Sequence, residues 1–396
     1  MMKKSTQEST KLHNSQLVLR TIYRQGEISR VDIARQTGLT RTTVSDVVGR
    51  FLHEGLVVET GVSPSRGGKR AILLRVDDEA RHLVGIDLAN SAFRGAVVNL
   101  RGKIVQRVSL PIQERDGEAA LGLVFTLIDQ LLQLTDRPIL GIGIGTPGLM
   151  DPVNRVVRYA VNLDWYNLPL GALLEERYRK PIYIANDSQA AALAEFTFGR
   201  QADANNLVVI KAGRGVGAGI VLNGELFYGD SHSAGEIGHV RMVPGGERCR
   251  CGNTGCLETL VSTRTLRRRA REIAARQPES YLNRLAASPE EIDSEVILQA
   301  YQAGDPFVEE LVAETGDYLG KAAAQMAGAL NIDQIILAGR LARFGDGIIA
   351  PMQKRVRQDI LPALAEHTRV RPSLFGDDVV ILGAASLILR HEAGLI

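Results

Sequence analysis

The sequence predicts an α/β protein in two parts, a small basic N-terminal module and a larger body made of two similar α/β lobes. Three observations support this prediction. Three helical segments fill the first 53 residues, and a glycine-rich hairpin follows them. Beyond residue 76, predicted strands and helices alternate, which is the order of an α/β fold. All three cysteines fall within eight consecutive positions, which indicates a metal site because an odd, clustered set does not suit a disulfide framework.

The composition is that of an ordinary globular protein of 396 residues, with 45% hydrophobic and 23% charged residues, and it predicts two or three domains. No apolar run approaches the roughly 20 residues that a membrane span needs. The polar first dozen residues lack the apolar stretch of a secretory signal. We therefore expect a cytoplasmic protein with no membrane partner.

The charge is distributed unevenly, although the net formal charge is only +2. Residues 1–75 carry 13 Lys and Arg against 6 Asp and Glu, which gives +7 and leaves −5 for the remainder. A compact positive module indicates a polyanion as its partner, because neutralising phosphates releases counterions.

The N-terminal module has the spacing of a helix-turn-helix. Ser29 and Thr40 can each cap a helix, and Gly38 allows the tight turn between them. Ala34, Val44 and Val47 supply the small and branched residues that let two such helices pack. The predicted helices are 16–23, 30–36 and 41–53.

The start of the third helix is the predicted recognition surface for the major groove of a double-stranded DNA operator. Outward positions on this helix include Asp46. The predicted DNA contacts on the helices are Arg30, Thr40, Arg41, Thr42, Thr43 and Ser45.

Two short strands, 56–60 and 71–76, predict a hairpin whose tip at 61–70 is basic and glycine-rich. This wing would lay Arg66, Lys69 and Arg70 along the phosphate backbone or into the minor groove. The alternative is a small helical domain with a solvated basic hairpin. With the wing, the predicted domain is a winged helix-turn-helix over 12–76, after a tail at 1–11.

The pattern of strands and helices after residue 76 predicts two lobes, 77–200 and 201–382, and each lobe begins with a three-stranded meander. We expect a ligand cleft between the two lobes. The final apolar run, 379–390, predicts a buried strand and then a helix, and the helix at 383–396 is expected to pack back onto the first lobe. The other predicted strands are 82–88, 93–99, 103–110, 139–145, 182–185, 207–211 and 217–222, and the other predicted helices are 117–134 and 188–199.

Several motifs of the body resemble those of the ROK family of repressors, open reading frames and sugar kinases. They are Glu236-Ile-Gly-His239, Cys249-Arg-Cys251-Gly-Asn-Thr-Gly-Cys256-Leu-Glu258, Ile184-Ala-Asn186-Asp187-Ser-Gln-Ala-Ala-Ala192 and Gly145-Thr-Pro-Gly148. The resemblance covers essentially the whole chain and implies a two-lobed actin/hexokinase-like sugar-kinase fold. The winged helix in front is similar to regulators of the xylose-repressor, Mlc and NagC type.

One imidazole and three thiolates, from His239, Cys249, Cys251 and Cys256, form a Cys₃His set that suits tetrahedral Zn²⁺. Four protein ligands leave no open position, so we expect the zinc to be structural and to fix the loop 236–258. The alternative is three buried thiols and an unrelated histidine.

A sugar site needs carboxylates, amides and a histidine, because each hydroxyl both donates and accepts hydrogen bonds. The resemblance implies that Asn186 and Asp187 hold hydroxyls on one side of the ring. It assigns Glu236, His239 and Glu258 to the anomeric end, and Gly148 and Asn162 to the pocket lining.

The resemblance to the family's kinases implies that Asp187 is the catalytic base. The loops that would hold ATP, however, depart from the family pattern. Asp87-Leu-Ala-Asn-Ser91 replaces Asp-x-Gly-Gly-Thr, Arg214 replaces a threonine in the second phosphate loop, and Arg340 follows Gly339 where paired glycines are common. We therefore expect no enzyme, with Asp187 kept as a hydroxyl acceptor and no residue acting catalytically.

A basic stretch on a predicted helix is interpreted as a solvated face without a function. It comprises Arg264, Arg267, Arg268, Arg269 and Arg271.

These features predict a repressor of carbohydrate genes that responds to a sugar or a sugar phosphate. We expect a homodimer or homotetramer, because winged helices gain specificity by binding two half-sites. Two alternatives stay open: an active sugar kinase with an appended DNA-binding module, and a regulator whose body responds chiefly to a partner such as a transport protein.

Overall fold

The computed structural model describes residues 7–63, 70–88, 91–113, 115–199 and 205–395. Within these residues, no helix is both long enough and apolar enough to cross a membrane.

Over its described residues, 7–63 and 70–76, the N-terminal module contains three helices and a three-stranded sheet in the order β1-β3-β2. Ser29 and Thr40 cap the second and third helices as predicted, and each side chain accepts a hydrogen bond from a first-turn amide. Gly38 ends the second helix with a φ of 71°, a conformation that favours glycine. The elements are α1 (Gln7–Gln25), β1 (Ile28–Ser29), α2 (Arg30–Thr37), α3 (Arg41–His53), β2 (Val57–Val62) and β3 (Ile72–Val76).

Helix α1 begins at Gln7 rather than at Gln16 and so takes in part of the predicted tail. Its first half is polar, and polar residues on a solvated helix carry no apolar periodicity by which their start could be recognised.

The first lobe is built on a five-stranded sheet in the order β11-β7-β4-β5-β6. Strands β4, β7 and β11 run parallel, and β5 and β6 complete an antiparallel meander. The elements are β4 (His82–Asp87), β5 (Ala92–Asn99), β6 (Ile104–Pro111), α4 (Gly117–Gln133), β7 (Ile139–Thr146), β8 (Leu149–Asp151), β9 (Val156–Ala160), β10 (Trp165–Leu168), α5 (Leu170–Tyr178), β11 (Ile182–Asn186) and α6 (Asp187–Phe198).

The second lobe repeats this topology in a sheet of order β14-β13-β12-β15-β16. Here β12, β15 and β16 are parallel, and β12, β13 and β14 form the meander. The elements are β12 (Leu207–Ala212), β13 (Val216–Leu222), β14 (Glu225–Leu226), α7 (Glu258–Val261), α8 (Thr263–Arg276), α9 (Leu282–Leu285), α10 (Ser294–Gln302), α11 (Pro306–Leu330), β15 (Gln334–Ala338), α12 (Asp346–Asp359), α13 (Pro362–Ala365) and β16 (Arg369–Pro372). They are followed by α14 (Val379–Ile388), which returns to the first lobe.

The predicted strand at the start of the final apolar run is wrong, because α14 is helical from Val379 onward. All ten residues of α14 are buried, since the helix packs on β4 and β7 of the first lobe and on α6. A short apolar run buried on every side does not distinguish a strand from a helix. Gly383 makes the contact with α6 possible, because a β-carbon there would lie 1.7 Å from the Ala190 carbonyl oxygen.

The N-terminal module shares an apolar core with the first lobe. Val18 and Ile22 of α1 belong to the same buried cluster as Leu100 and α14. Tyr23 Oη donates to the Leu100 carbonyl at 2.7 Å, and Arg101 donates to the Tyr23 carbonyl at 2.8 Å. The module is therefore docked on the first lobe by packing as well as by the chain connection.

Candidate functional site

The exposed face of α3 carries most of the predicted base contacts. Arg41, Thr42 and Ser45 are exposed at its start, whereas Val44 and Val47 are buried beneath them. The other two predicted contacts here are engaged locally: Thr43 is half-buried, and its hydroxyl lies 2.9 Å from that of Thr40, the capping residue. This arrangement presents one basic and several hydroxyl side chains to a groove.

The remaining predicted DNA contacts lie on the hairpin and on α2. Arg70 is exposed at the base of the hairpin, while Arg66 and Lys69 lie outside the described residues. Arg30 donates to Glu59 Oε1 at 3.2 Å, so it is tied to β2 at the edge of the predicted DNA face.

A cavity of about 620 Å³ lies between the two lobes and brings all seven predicted sugar-site residues together. They are Gly148, Asn162, Asn186, Asp187, Glu236, His239 and Glu258. A cavity of this volume with convergent polar groups is typical of a small-molecule site.

The corner between β11 and α6 positions the first part of this site. Asn186 caps α6, and its Oδ1 accepts from the Ser188 amide at 2.8 Å. Its Nδ2 donates to the Gly148 carbonyl at 3.1 Å. Gly148 has a φ of 90°, and a β-carbon there would lie 2.1 Å from the Tyr159 carbonyl oxygen. Gly148 therefore contributes backbone rather than a side chain, and Asp187 is held at the first helical position.

Asp187 is paired with Lys211, a residue that the sequence analysis missed. Lys211 Nζ donates to Asp187 Oδ2 at 2.8 Å, and Lys211 is only 8% exposed. Burial acts to lower the pKa of Lys211, but the charges of Asp187 and Asp87 outweigh it and hold the pKa above its ordinary value. Lys211 is thus a cation that balances the charge of the Asp187 carboxylate and bonds to one of its two oxygens.

A second ion pair lies where the sequence predicts a damaged phosphate loop. Asp87 is fully buried and accepts from Arg94 Nη2 at 2.6 Å. Arg94 also donates to the Asp377 carbonyl at 2.9 Å. The loop residues Ala89 and Asn90 fall outside the described residues.

Basic side chains crowd the space beside this pair. Arg94, Lys211 and Arg340 line a small cavity of about 70 Å³ that adjoins Gly213 and Gly339. Arg340 also donates to Glu295 at 3.1 Å.

Two carboxylates and the histidine form the opposite part of the large cavity. Glu258 Oε2 accepts from the Val216 amide at 3.1 Å, which joins α7 to the start of β13. Glu236 is half-buried and lies 3.9 Å from His239 Nε2. Burial, and then the charges of Asp187 and Glu258, raise the pKa of Glu236, against the opposing charge of His239.

The two lobes also touch across the cleft. Arg250 of the second lobe donates to Asn162 Oδ1 of the first lobe at 3.0 Å, and both residues line the cavity. Asn162 is thus held by a residue that sequence reasoning did not select.

The predicted zinc ligands form a compact group whose four donor atoms all lie within 4.8 Å of one another: His239, Cys249, Cys251 and Cys256. The His239 Nδ1 to Cys249 Sγ distance is 3.6 Å, and the Cys251 to Cys256 Sγ distance is 3.7 Å. In a tetrahedron around Zn²⁺, two sulfurs lie about 3.8 Å apart and a nitrogen lies about 3.6 Å from a sulfur. The donor set and its spacing therefore fit a tetrahedral metal ion.

The fold and the site define a two-lobed protein of the sugar-kinase type with a DNA-binding module in front. Residues 83–391 match the model of the ROK family, and residues 13–58 match a winged helix-turn-helix DNA-binding model. The chain belongs to the ROK family.

Its relatives include both regulators and kinases. The chain is 31% identical over 382 residues to a xylose repressor of Caldicellulosiruptor bescii, across 95% of each protein. A solved ROK family transcriptional regulator, a homologue of the Escherichia coli Mlc protein, matches with a TM-score of 0.84, 28% identity and 98% coverage of both chains. A ROK family glucokinase from Streptomyces griseus, solved with glucose and AMPPNP, matches 77% of this chain and 98% of its own at 28% identity, with a TM-score of 0.72.

Proposed function

We propose that this protein is a sugar-responsive DNA-binding repressor of carbohydrate uptake or catabolism genes whose kinase-like body senses its ligand without phosphorylating it. The observation that carries the proposal is the pairing of an intact hydroxyl-binding cleft with a neutralised Asp187, whose Oδ2 is already bonded to Lys211 at 2.8 Å. The likeness to a xylose repressor over 95% of each protein supports the proposal.

The cleft would bind a carbohydrate through hydroxyl contacts from both lobes. Asn186 and Asp187 would hold hydroxyls on the first-lobe side, and Glu236, Glu258 and His239 Nε2 would hold those on the other side. Ligand binding would close the lobes, since residues of both line the one cavity.

A chain of contacts connects the cleft to the DNA-binding module. Helix α6 starts at Asp187 and packs on α14. The segment after α14 contains Gly394, and the Gly394 carbonyl accepts a hydrogen bond from Arg20 of α1 at 3.2 Å. We expect the ligand to alter DNA affinity by binding the two lobe arrangements with different affinity. The protein would act as a homodimer or homotetramer in the cytoplasm, with one module on each half-site.

A structural Zn²⁺ would be held by His239 Nδ1 and the thiolates of Cys249, Cys251 and Cys256. When bound, it would supply a rigid cross-link for the loop 236–258 and no reactive position. The loop would then keep Glu236 and Glu258 at a fixed separation across its two ends.

The repressor proposal is tested with two single variants of the full-length protein. Arg41→Ala should weaken binding to DNA selected from a random pool about 5- to 150-fold and leave carbohydrate binding unchanged. Glu236→Gln should lower the affinity for the sugar that gives the largest stabilisation in a thermal-shift panel. Its binding to the operator DNA in the absence of sugar should be unchanged. Arg107→Ala removes an exposed arginine elsewhere and should change neither property. If both main variants lose both activities, the modular proposal is wrong.

The alternative of an active sugar kinase is supported by the likeness to a glucokinase and by the presence of Asp187. Incubation with ATP, Mg²⁺ and the same sugar panel separates the two functions. We expect no turnover above background. Turnover at ordinary kinase rates that is abolished by Asp187→Ala would overturn the non-catalytic proposal. A body that answers chiefly to a transport protein would show no saturable sugar binding in calorimetry.

A further inference from the structure

Four arginines gather on the second-lobe side of the cleft. Arg214 comes from the loop between β12 and β13, Arg250 from the cysteine-containing loop, and Arg264 and Arg267 from the first turns of α8. The first three line the 620 Å³ cavity together with the carboxylates of the sugar site. From the sequence alone, the arginines of α8 were interpreted as a solvated face, but Arg264 faces the cleft.

Among the residues that the structure describes, these guanidinium groups have no bonded carboxylate, unlike their neighbour Arg268 on α8. Arg268 is bonded to Glu247 at 2.5 Å and to Glu272 at 3.0 Å. Within the described part of the chain, Arg214, Arg264 and Arg267 form no ion pair, and Arg250 is bonded only to the neutral Asn162. On α8, Arg268 of the outer face therefore has carboxylates within bonding distance, whereas Arg264, which lines the cleft, forms no ion pair within the described residues.

The uncompensated charges act on one another. Burial, and then the charges of Arg250 and Arg267, lower the pKa of Arg214 below its ordinary value. Burial and the charges of Arg250, Arg214 and Arg267 likewise lower the pKa of Arg264, with Glu258 opposing them. Arg214, Arg250 and Arg264 line the same cavity, so their like charges face one space, and an anion placed between them would relieve the repulsion.

The backbone adds to the positive potential. Arg264 occupies the first turn of α8, where no acidic residue is present and where the helix dipole itself favours an anion. The Thr263 amide donates to the Gly213 carbonyl at 2.8 Å, so this helix end lies against the loop that carries Arg214.

We propose that the cleft is built for a phosphorylated carbohydrate, whose hydroxyls meet Asp187, Glu236 and Glu258 and whose phosphate is held by Arg214, Arg250 and Arg264. This inference rests on the proposed sugar-sensing function and specifies its ligand. One guanidinium suffices for a sugar carboxylate, whereas several uncompensated guanidiniums suit the dianion and three acceptor oxygens of a phosphate monoester.

The test is calorimetry on the full-length protein with matched pairs of ligands. Glucose, mannose, fructose and N-acetylglucosamine are each compared with their own 6-phosphates, and glucuronate and inorganic phosphate are added as single probes. We expect one 6-phosphate to bind at least ten times more tightly than its free sugar and more tightly than glucuronate.

Variants then locate the phosphate. Arg214→Gln should weaken the 6-phosphate at least tenfold and leave the free sugar unchanged, because only the phosphate contact is lost. Arg268→Gln removes a paired arginine from the outer face of α8 and should affect neither ligand. Glu236→Gln should weaken both members of the pair.

The outcomes separate this inference from the function on which it rests. If a free sugar binds as tightly as its 6-phosphate, or if Arg214→Gln weakens both equally, the phosphate site is wrong and the sugar sensor stands. Tighter binding of glucuronate than of every 6-phosphate also overturns the phosphate site. If no carbohydrate in either series binds, both proposals fail.

Discussion

Arg101 is expected to hold the DNA-binding module on the first lobe. Its guanidinium donates to the Tyr23 carbonyl at 2.8 Å, lies 4.0 Å from the centre of the Tyr23 ring, and pairs with Asp78 at 3.0 Å. In Arg101→Ala all three contacts are lost. Asp78 keeps a second cation nearby, because Arg75 lies 3.7 Å away, so the variant leaves no isolated charge.

The magnitude follows from the three contacts of Arg101. A hydrogen bond from a charged donor contributes about 1.5–3 kcal/mol, the cation–π contact about 0.5–1 kcal/mol, and the half-exposed ion pair about 0–1 kcal/mol. We expect Arg101→Ala to lower the free energy of detaching the module by about 2–5 kcal/mol. Because 1.4 kcal/mol is a factor of ten, local opening of α1 should become about 30- to 4,000-fold more frequent.

Native-state hydrogen exchange followed by mass spectrometry measures this change directly. Amides of α1 should exchange faster by that factor in Arg101→Ala, while peptides from α11 in the second lobe should be unchanged. Arg107→Ala is the control, because Arg107 is an exposed arginine of the neighbouring strand β6 that pairs with Asp378. A change of less than about threefold in α1 would refute the assigned role of Arg101.

Three further predictions concern packing, metal and pH. Gly383→Ala should lower the free energy of unfolding by about 1–3 kcal/mol, because its β-carbon would lie 1.7 Å from the Ala190 carbonyl oxygen. Gly328→Ala is the control, because its β-carbon would meet its nearest neighbour only at 3.6 Å. Equal melting temperatures for the two variants would contradict the prediction. Cys251→Ser should purify with less than a tenth of the metal of the wild type by elemental analysis; full occupancy would exclude Cys251 as a ligand. Burial raises the pKa of Tyr23 to about 12, so the folded state favours the neutral phenol. The wild type should therefore lose stability relative to Tyr23→Phe between about pH 10 and pH 12. If the unfolding free energies of the two proteins change with pH in parallel over this range, the prediction is wrong.

The sequence predicted the local features well because they depend on neighbouring residues. The caps Ser29 and Thr40 and the turn at Gly38 are decided within a few positions, and the structure has all three. The grouping of His239 with the three cysteines followed from donor chemistry, and the four donor atoms lie together.

The missed features depend on contacts between distant parts of the chain. Lys211 lies at the end of an apolar strand, and only the fold brings it to Asp187, 24 residues earlier. Arg264 shares a helix with Arg268, and helical spacing alone did not separate the side that faces the cleft from the side that faces Glu247.

The apolar core that α1 shares with the first lobe has a consequence for building chimeric regulators. Joining this module to a foreign sensor at residue 77 would remove the surface that covers Val18 and Ile22, both fully buried. A working hybrid would have to carry over the lobe surface around Leu100 or replace these side chains with polar ones. In such hybrids, the DNA-binding module therefore has to be transferred together with the lobe surface on which it packs. The length of the linker matters less.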